Sequence, residues 1–208
     1  MEEPTDVETD AEELVARAHR DDRVLGLGAL RALSHPIRVQ IYDILSQYGP
    51  QTASTLAERL GESSGSTSYH LRALAKHDLI REVAGRGSGR ERWWERPIGG
   101  VTFLNEDAIK TPAGRAVTQL AMREFFRNRS DQLREFTEHG IERESEDWRD
   151  ASLISTASAN LTAAQTRELS RKIMALVDET VRAHRHQAGE GVRPVTMRVD
   201  VFPLPGLD

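Results

Sequence analysis

Cysteine is absent from the 208 residues, which excludes disulfides and thiolate metal sites and fits a cytoplasmic protein. No stretch approaches the ~18 consecutive apolar residues of a membrane-spanning helix. The N-terminus is acidic and carries no apolar segment after a basic one, so neither a membrane span nor a secretory leader is expected. Metal-ligating patterns are equally thin. His184 and His186 stand two apart, which on a helix points them in different directions, and His139 and Glu142 can share a helical face but lack a third ligand. No nucleophile, base and orienting residue can be grouped, so no enzymatic activity, cofactor or metal is expected.

What the chain does contain is a soluble, polar-biased composition, 38% hydrophobic and 29% charged, long enough for one large domain or two small ones. The net charge of −5 argues against a polyanionic partner only until its distribution is read. Residues 1–19 hold one Arg against seven acids, residues 20–100 twelve Lys/Arg against nine, and residues 101–208 fifteen against seventeen. Only the middle is basic, and within it residues 64–97 hold seven cations against four acids. The excess is modest, so binding to a polyanion should be salt-dependent.

The basic stretch contains Gly61 to Asp78, G-E-S-S-G-S-T-S-Y-H-L-R-A-L-A-K-H-D. Thr67, Leu71 and Leu74 recur at helical spacing and form a core-facing stripe. The opposite face carries Gly65, Ser66, Tyr69, Arg72 and Lys76, which are small, hydroxyl-bearing or cationic. Short side chains in the first turn allow close approach to a groove, and the helix N-terminus offers N–H groups to phosphate. Arg72 and Lys76 can meet phosphates or a guanine edge. A solvated helix face would carry the same residue types, so the neighbouring segments decide the reading.

Those neighbours predict a helix-turn-helix. Leu25, Leu27, Leu30 and Leu33 mark a first helix. Ser34-His35-Pro36 starts a second, with Ile37, Ile41, Ile44, Leu45 and Tyr48 as its buried stripe, ended by Gly49-Pro50. Thr52 opens a third, with Ala53, Leu56, Ala57 and Leu60 inward and Gly61 in the C-terminal capping position. The reading helix, 64–77, follows after a short link. Leu79–Val83 and Glu91–Arg96 then form two strands around a glycine-rich loop, a β-hairpin whose tip, 84–91, is a wing. Arg86, Arg90 and Arg92 are placed to touch a DNA backbone or minor groove. Trp93 and Trp94 must point to opposite faces, one into the core and one over the wing base or into an interface.

The motifs S-H-P-x-R at Ser34–Arg38, S-Y-H-L-R-A-L at Ser68–Leu74 and G-R-G-x-G-R-E-R-W-W resemble the ArsR-type winged-helix transcriptional regulators over residues 22–104. The resemblance implies a homodimer binding an inverted-repeat operator in double-stranded DNA, usually as a repressor relieved by an effector. It implies DNA contacts from Ser66, Thr67, Tyr69, His70 and Arg72, with Ser64 and Ser68 in the same run. Periodicity disagrees in part, since it turns Thr67 and His70 toward the core. Asp78 stands where such proteins commonly have Gly, a position Asp tolerates better than most residues. The cysteine pair of thiolate metal sensors is missing at Ala57-Glu58-Arg59-Leu60, so a small-molecule effector, if there is one, cannot be carried over.

Thr111-Pro112 is a further helix start, followed by an apolar band of Val117, Leu120, Ala121, Met122, Phe125, Phe126, Leu133 and Phe136. Gly140–Asp150 is a polar connection with a partly buried Trp148. Thr162-Ala163-Ala164-Gln165 is a capping box opening another helix, with Leu169, Ile173, Leu176, Val177 and Val181 at helical spacing. Val195, Met197, Val199 and Val201 alternate with polar residues as a half-buried strand, which needs a partner in Val101–Leu104 or the other subunit. The expected organisation is therefore an acidic, disordered tail (1–20), a winged helix-turn-helix domain (21–104) and a C-terminal helical dimerisation or sensing domain (105–208). The fold class is mainly α with a small β-hairpin, ending in a strand. The expected function is a cytoplasmic, homodimeric DNA-binding transcription regulator. The alternatives are a winged-helix protein-interaction module and a small-ligand-binding protein without operator binding.

Overall fold

The computed structural model describes residues 23–87, 91–97, 99–103, 105–184 and 187–206. The expected acidic tail, Arg90, Leu104 and His186 lie outside the described residues. The chain divides into two compact units, one spanning Arg23–Ile154 and the other containing Ser155–Asp208.

In the first unit the order is β1 (Arg23–Val24), α1 (Leu27–Ala32), α2 (Pro36–Tyr48), β2 (Gln51–Thr52), α3 (Ala53–Leu60) and α4 (Ser64–Ala75). There follow β3 (Arg81–Glu82), β4 (Trp93–Glu95), β5 (Val101–Thr102), α5 (Glu106–Ile109) and α6 (Pro112–Glu135). A π-helical turn at Phe136–Gly140 then leads into the short α7 (Ile141–Arg143) and α8 (Glu146–Asp150). Local chemistry explains the boundaries. Pro36 occupies the first turn of α2, where its missing N–H costs nothing, and His35 before it is extended. The Thr52 hydroxyl accepts from the Thr55 amide while the Thr55 hydroxyl accepts from the Thr52 amide, closing a capping box on α3. Gly61 ends α3 at φ +66, a left-handed turn that a Cβ would penalise. Ser63 then caps α4 by accepting from the Ser66 amide at 3.1 Å.

The antiparallel sheet has the order β2–β4–β3, with Gln51 opposite Trp94 and Trp94 opposite Glu82. Trp94 therefore sits in the central strand, and it is buried against the helices. It joins a core of Leu25, Leu30, Leu33, Val39, Ile41, Leu45, Leu56, Leu71, Leu74 and Ile80. Each such side chain contributes about 1.5–3 kcal/mol by leaving water. β1 pairs in parallel with β5, Arg23 opposite Val101, a second small sheet that no sequence pattern announced.

Several expectations need correction. Tyr48 is not in the α2 stripe; it is exposed, with the Arg59 guanidinium 4.6 Å over its ring, while Val39, Tyr42 and Asp43 are the additional buried positions. The strands are shorter than expected, because Leu79 and Ile80 enter the core before pairing begins at Arg81. On α6 the buried face is small and polar, with Gly114, Thr118, Ala121 and Glu124, while Leu120, Phe126 and Leu133 point outward. Polar contacts tie α6 to α2: Asn128 donates to Asp43, and Gln47 donates to Gln132 at 3.3 Å. Packing places α6 in the same compact unit as the winged elements.

The second unit contains α9 (Ala163–His184), opened by the predicted capping box, in which Thr162 Oγ1 accepts from the Gln165 amide at 3.2 Å and Gln165 Oε1 from the Thr162 amide at 3.0 Å. None of its residues is buried. The alternating segment 195–201 does not form a strand: it is without ladder pairing among the described residues, and its Val195, Met197, Val199 and Val201 are exposed. Alternation alone cannot satisfy a strand's backbone groups.

The hairpin is fastened to α2 by Arg96, which donates to the Tyr42 hydroxyl at 2.8 Å, the Ser46 hydroxyl at 3.0 Å and the Gly99 carbonyl. Arg96→Ala should lower unfolding free energy by about 1.5–3 kcal/mol, as expected when a charged donor to partly buried groups is lost. Arg81→Ala, which removes only an exposed pair with Glu95, should cost under about 1 kcal/mol. Urea unfolding of the two variants gives the comparison.

Candidate nucleic-acid interface

The orientation of α4 is set by its inner face. Thr67 has no exposed surface, and its hydroxyl lies 2.9 Å from the Ala53 carbonyl of α3 and 3.1 Å from the carbonyls of Ser63 and Ser64. Leu71 and Leu74 continue that stripe with no exposed surface. With these three fixed, Gly65, Tyr69, Arg72 and Lys76 face solvent, as the helical period requires. Tyr69 is 59% exposed, unusual for an aromatic side chain on a helix that has a core available.

Of the residues expected to contact DNA, Ser64, Tyr69, Arg72 and Lys76 are exposed on α4 or at its C-cap, and Ser66 and Ser68 are half-buried beside them. The structure does not bring Thr67 or His70 to this surface. Thr67 spends its hydroxyl on α3 and on its own helix, and His70 is only 6% exposed, as the periodicity indicated against the resemblance. In the wing, Arg86 and Arg92 are exposed. The Arg92 guanidinium lies 3.5 Å from Glu82, and that of Arg86 lies 3.8 Å over the Trp93 ring. Trp93 and Trp94 divide as expected, one over the wing base and the other in the core.

Two supporting residues, Arg23 and His35, escaped the sequence reading. Arg23 of β1 donates to the carbonyls of His77 and Asp78, holding the turn that follows α4. Asp78 follows at φ +54, in the left-handed region where a Gly was expected from the resemblance. His35, before α2, sets its ring 4.7 Å from that of His70 and tilted to it, and both Nδ1 atoms are buried without a hydrogen-bond partner. The S-H-P-x-R motif signalled His35 only as a helix start.

Residues 33–83, which cover α2 to β3, match a family model described as a helix-turn-helix domain. The short turn between α3 and α4 is that of a helix-turn-helix, in keeping with this match. The hairpin packed behind it gives the winged helix-turn-helix arrangement expected from the sequence. Two solved structures are similar to the chain. One is the homodimeric winged helix-turn-helix DNA-binding domain (fragment 1–100) of Mb0332 from Mycobacterium bovis, described as a possible ArsR-family transcriptional regulator. It is 20% identical, with 64% of this chain and 92% of that one covered and a TM-score of 0.29. The other is RV1404 from Mycobacterium tuberculosis, 21% identical, with 86% and 95% covered and a TM-score of 0.29. No curated protein matches. Among the described residues no helix is long and apolar enough to cross a membrane, and no three His, Asp or Glu side chains gather as metal ligands.

The histidine pair makes the domain sensitive to acid. His70 is held below the ordinary imidazole range first by burial, then by the adjacent His35 and by Arg38, against an opposing pull from Glu62. His35 is lowered by burial and Arg38, against Glu124 and Glu62. Above an unfolded-state value of about 6.5 both states are neutral at these positions. Below it the unfolded chain takes up protons that the folded chain refuses, so stability falls as the pH drops toward the depressed values. Wild type should therefore lose more stability between pH 7.5 and 5 than His70→Gln; equal losses in urea unfolding would contradict this role for the pair.

Proposed function

We propose that the protein is a sequence-specific, double-stranded-DNA-binding transcription regulator, with α4 in the major groove and the wing on the flanking backbone. The observation that carries this reading is the outward face of α4. Gly65 and the serines keep the first turn slim, Tyr69 projects from the middle, and Arg72 and Lys76 supply charge along the same side. Arg86 and Arg92 extend the cationic surface through the wing. A cytoplasmic homodimer acting as a repressor at a two-fold operator is part of the proposal. The exposed Leu169 and Leu176 of α9, two turns apart on one face, offer an apolar patch for pairing with a second copy. Relief by a small-molecule effector would complete the regulator pattern that the resemblance implies.

Fluorescence anisotropy tests the reading with duplex DNA from upstream of the protein's own gene, against a scrambled duplex, across a salt series. Wild type should prefer the upstream site, and Tyr69→Ala should lose that preference. Arg86→Ala should weaken binding to both duplexes and reduce the salt slope by about one unit. Absence of binding to either duplex at low salt would overturn the proposal in favour of a protein-interaction module.

A further inference from the structure

The wing contains a pairing that neither the helix-turn-helix match nor the charge pattern assigns a role. Trp94 is anchored in the core by the central strand β4, so the alternation of the strand throws Trp93 to the opposite face. There the Arg86 guanidinium carbon lies 3.8 Å from the Trp93 ring centroid. The backbone supports this contact from both sides. Val83 donates its amide to the Trp93 carbonyl at 2.8 Å, holding the near end of the wing to the strand. Gly87, next to Arg86, has φ +103, and a Cβ there would stand 2.5 Å from the Glu91 carbonyl oxygen and 3.1 Å from Trp93 Cδ1. The Glu91 carbonyl and the positive φ thus leave room only for glycine at this point, where the chain passes beside the indole.

Resting on the DNA reading above, we propose that Trp93 is a positioning residue for DNA binding, its indole holding the Arg86 guanidinium ready for a phosphate or groove-edge acceptor. A guanidinium held over an indole keeps its N–H groups available to an acceptor, because the ring face takes up none of them as a hydrogen-bond acceptor would. An unstacked arginine loses the freedom of its long side chain when it docks; a stacked one has already lost part of it. Tryptophan is the aromatic best suited to this, having the strongest attraction for a cation over its ring. Arg92 differs, because its guanidinium lies 3.5 Å from the Glu82 carboxylate instead of on a ring.

A double-mutant cycle on the upstream duplex tests the proposal, with thermal unfolding of each variant alongside. Trp93→Leu should weaken binding ~2- to 5-fold, the range of an exposed cation–π contact, and Trp93→Phe should recover part of the loss. In an Arg86→Ala background the Trp93→Leu loss should vanish. Equal losses in both backgrounds would overturn the proposal, since a purely structural tryptophan does not depend on Arg86. NMR of the free protein supplies a readout independent of DNA and of the leucine variant's folding. The Arg86 Hδ signals should be shifted upfield by the indole in wild type, less so in Trp93→Phe. Unshifted signals with intact wild-type binding overturn the positioning role alone. Shifted signals with no binding to any duplex overturn the DNA reading, and the proposal with it.

Discussion

The structure depends on one buried contact, the Thr67 hydroxyl at the Ala53 carbonyl. A helix can rotate about its axis in a greasy environment at small cost, whereas a hydroxyl bonded to a carbonyl of the neighbouring helix, as Thr67 is to Ala53, fixes the rotation. Leu71 and Leu74 supply the burial that holds α4 in place, and Thr67 decides which residues are left outside. Once α4 is set, every other device supports one of its ends. Ser63 caps its start, Gly61 turns the chain into it, and Arg23 and Asp78 hold the turn that follows it. The outward face of Tyr69, Arg72 and Lys76 is thus a product of inward chemistry, which is why the same threonine cannot serve both the core and a ligand.

The wing follows the same logic with different parts. The hairpin is held from behind by Trp94 in the core and by Arg96 on α2, while its front carries Trp93 and Arg86. A fixed base and a cationic tip are what a backbone-contacting element needs, because a mobile tip would spend its electrostatic gain on ordering itself. α6 binds the assembly through Asp43–Asn128 and Gln47–Gln132. Polar contacts of this kind set the register of two helices more sharply than apolar packing does.

How much of this was legible depended on whether the signal was local. The bounds of α3 and α4 were readable because their caps lie within a few residues: Thr52 with Thr55, Gly61, and Ser63 with Ser66. The split of Trp93 from Trp94 needed only strand alternation, and the inward turn of Thr67 and His70 needed only the helical period. The missed features join distant positions. The His35–His70 contact, the Arg23 bonds to the turn after α4 and the β1–β5 pair each bring together residues far apart in the chain, with no repeat to betray them. Two expectations failed because pattern was taken for partnership. The apolar band of α6 faces outward in part, since a small face met the winged elements more closely, and segment 195–201 alternates without a strand to pair with.

The central claim is that the inward anchoring of Thr67, Leu71 and Leu74 presents Tyr69 and Arg72 to a major groove. Guanine N7 atoms lie on that groove's floor, so methylation protection on a bound upstream duplex reads the claim directly. The account predicts protected N7 positions in two clusters about one helical turn apart. Bound protein that shields the sugar–phosphate backbone but leaves every guanine N7 open to methylation would contradict it.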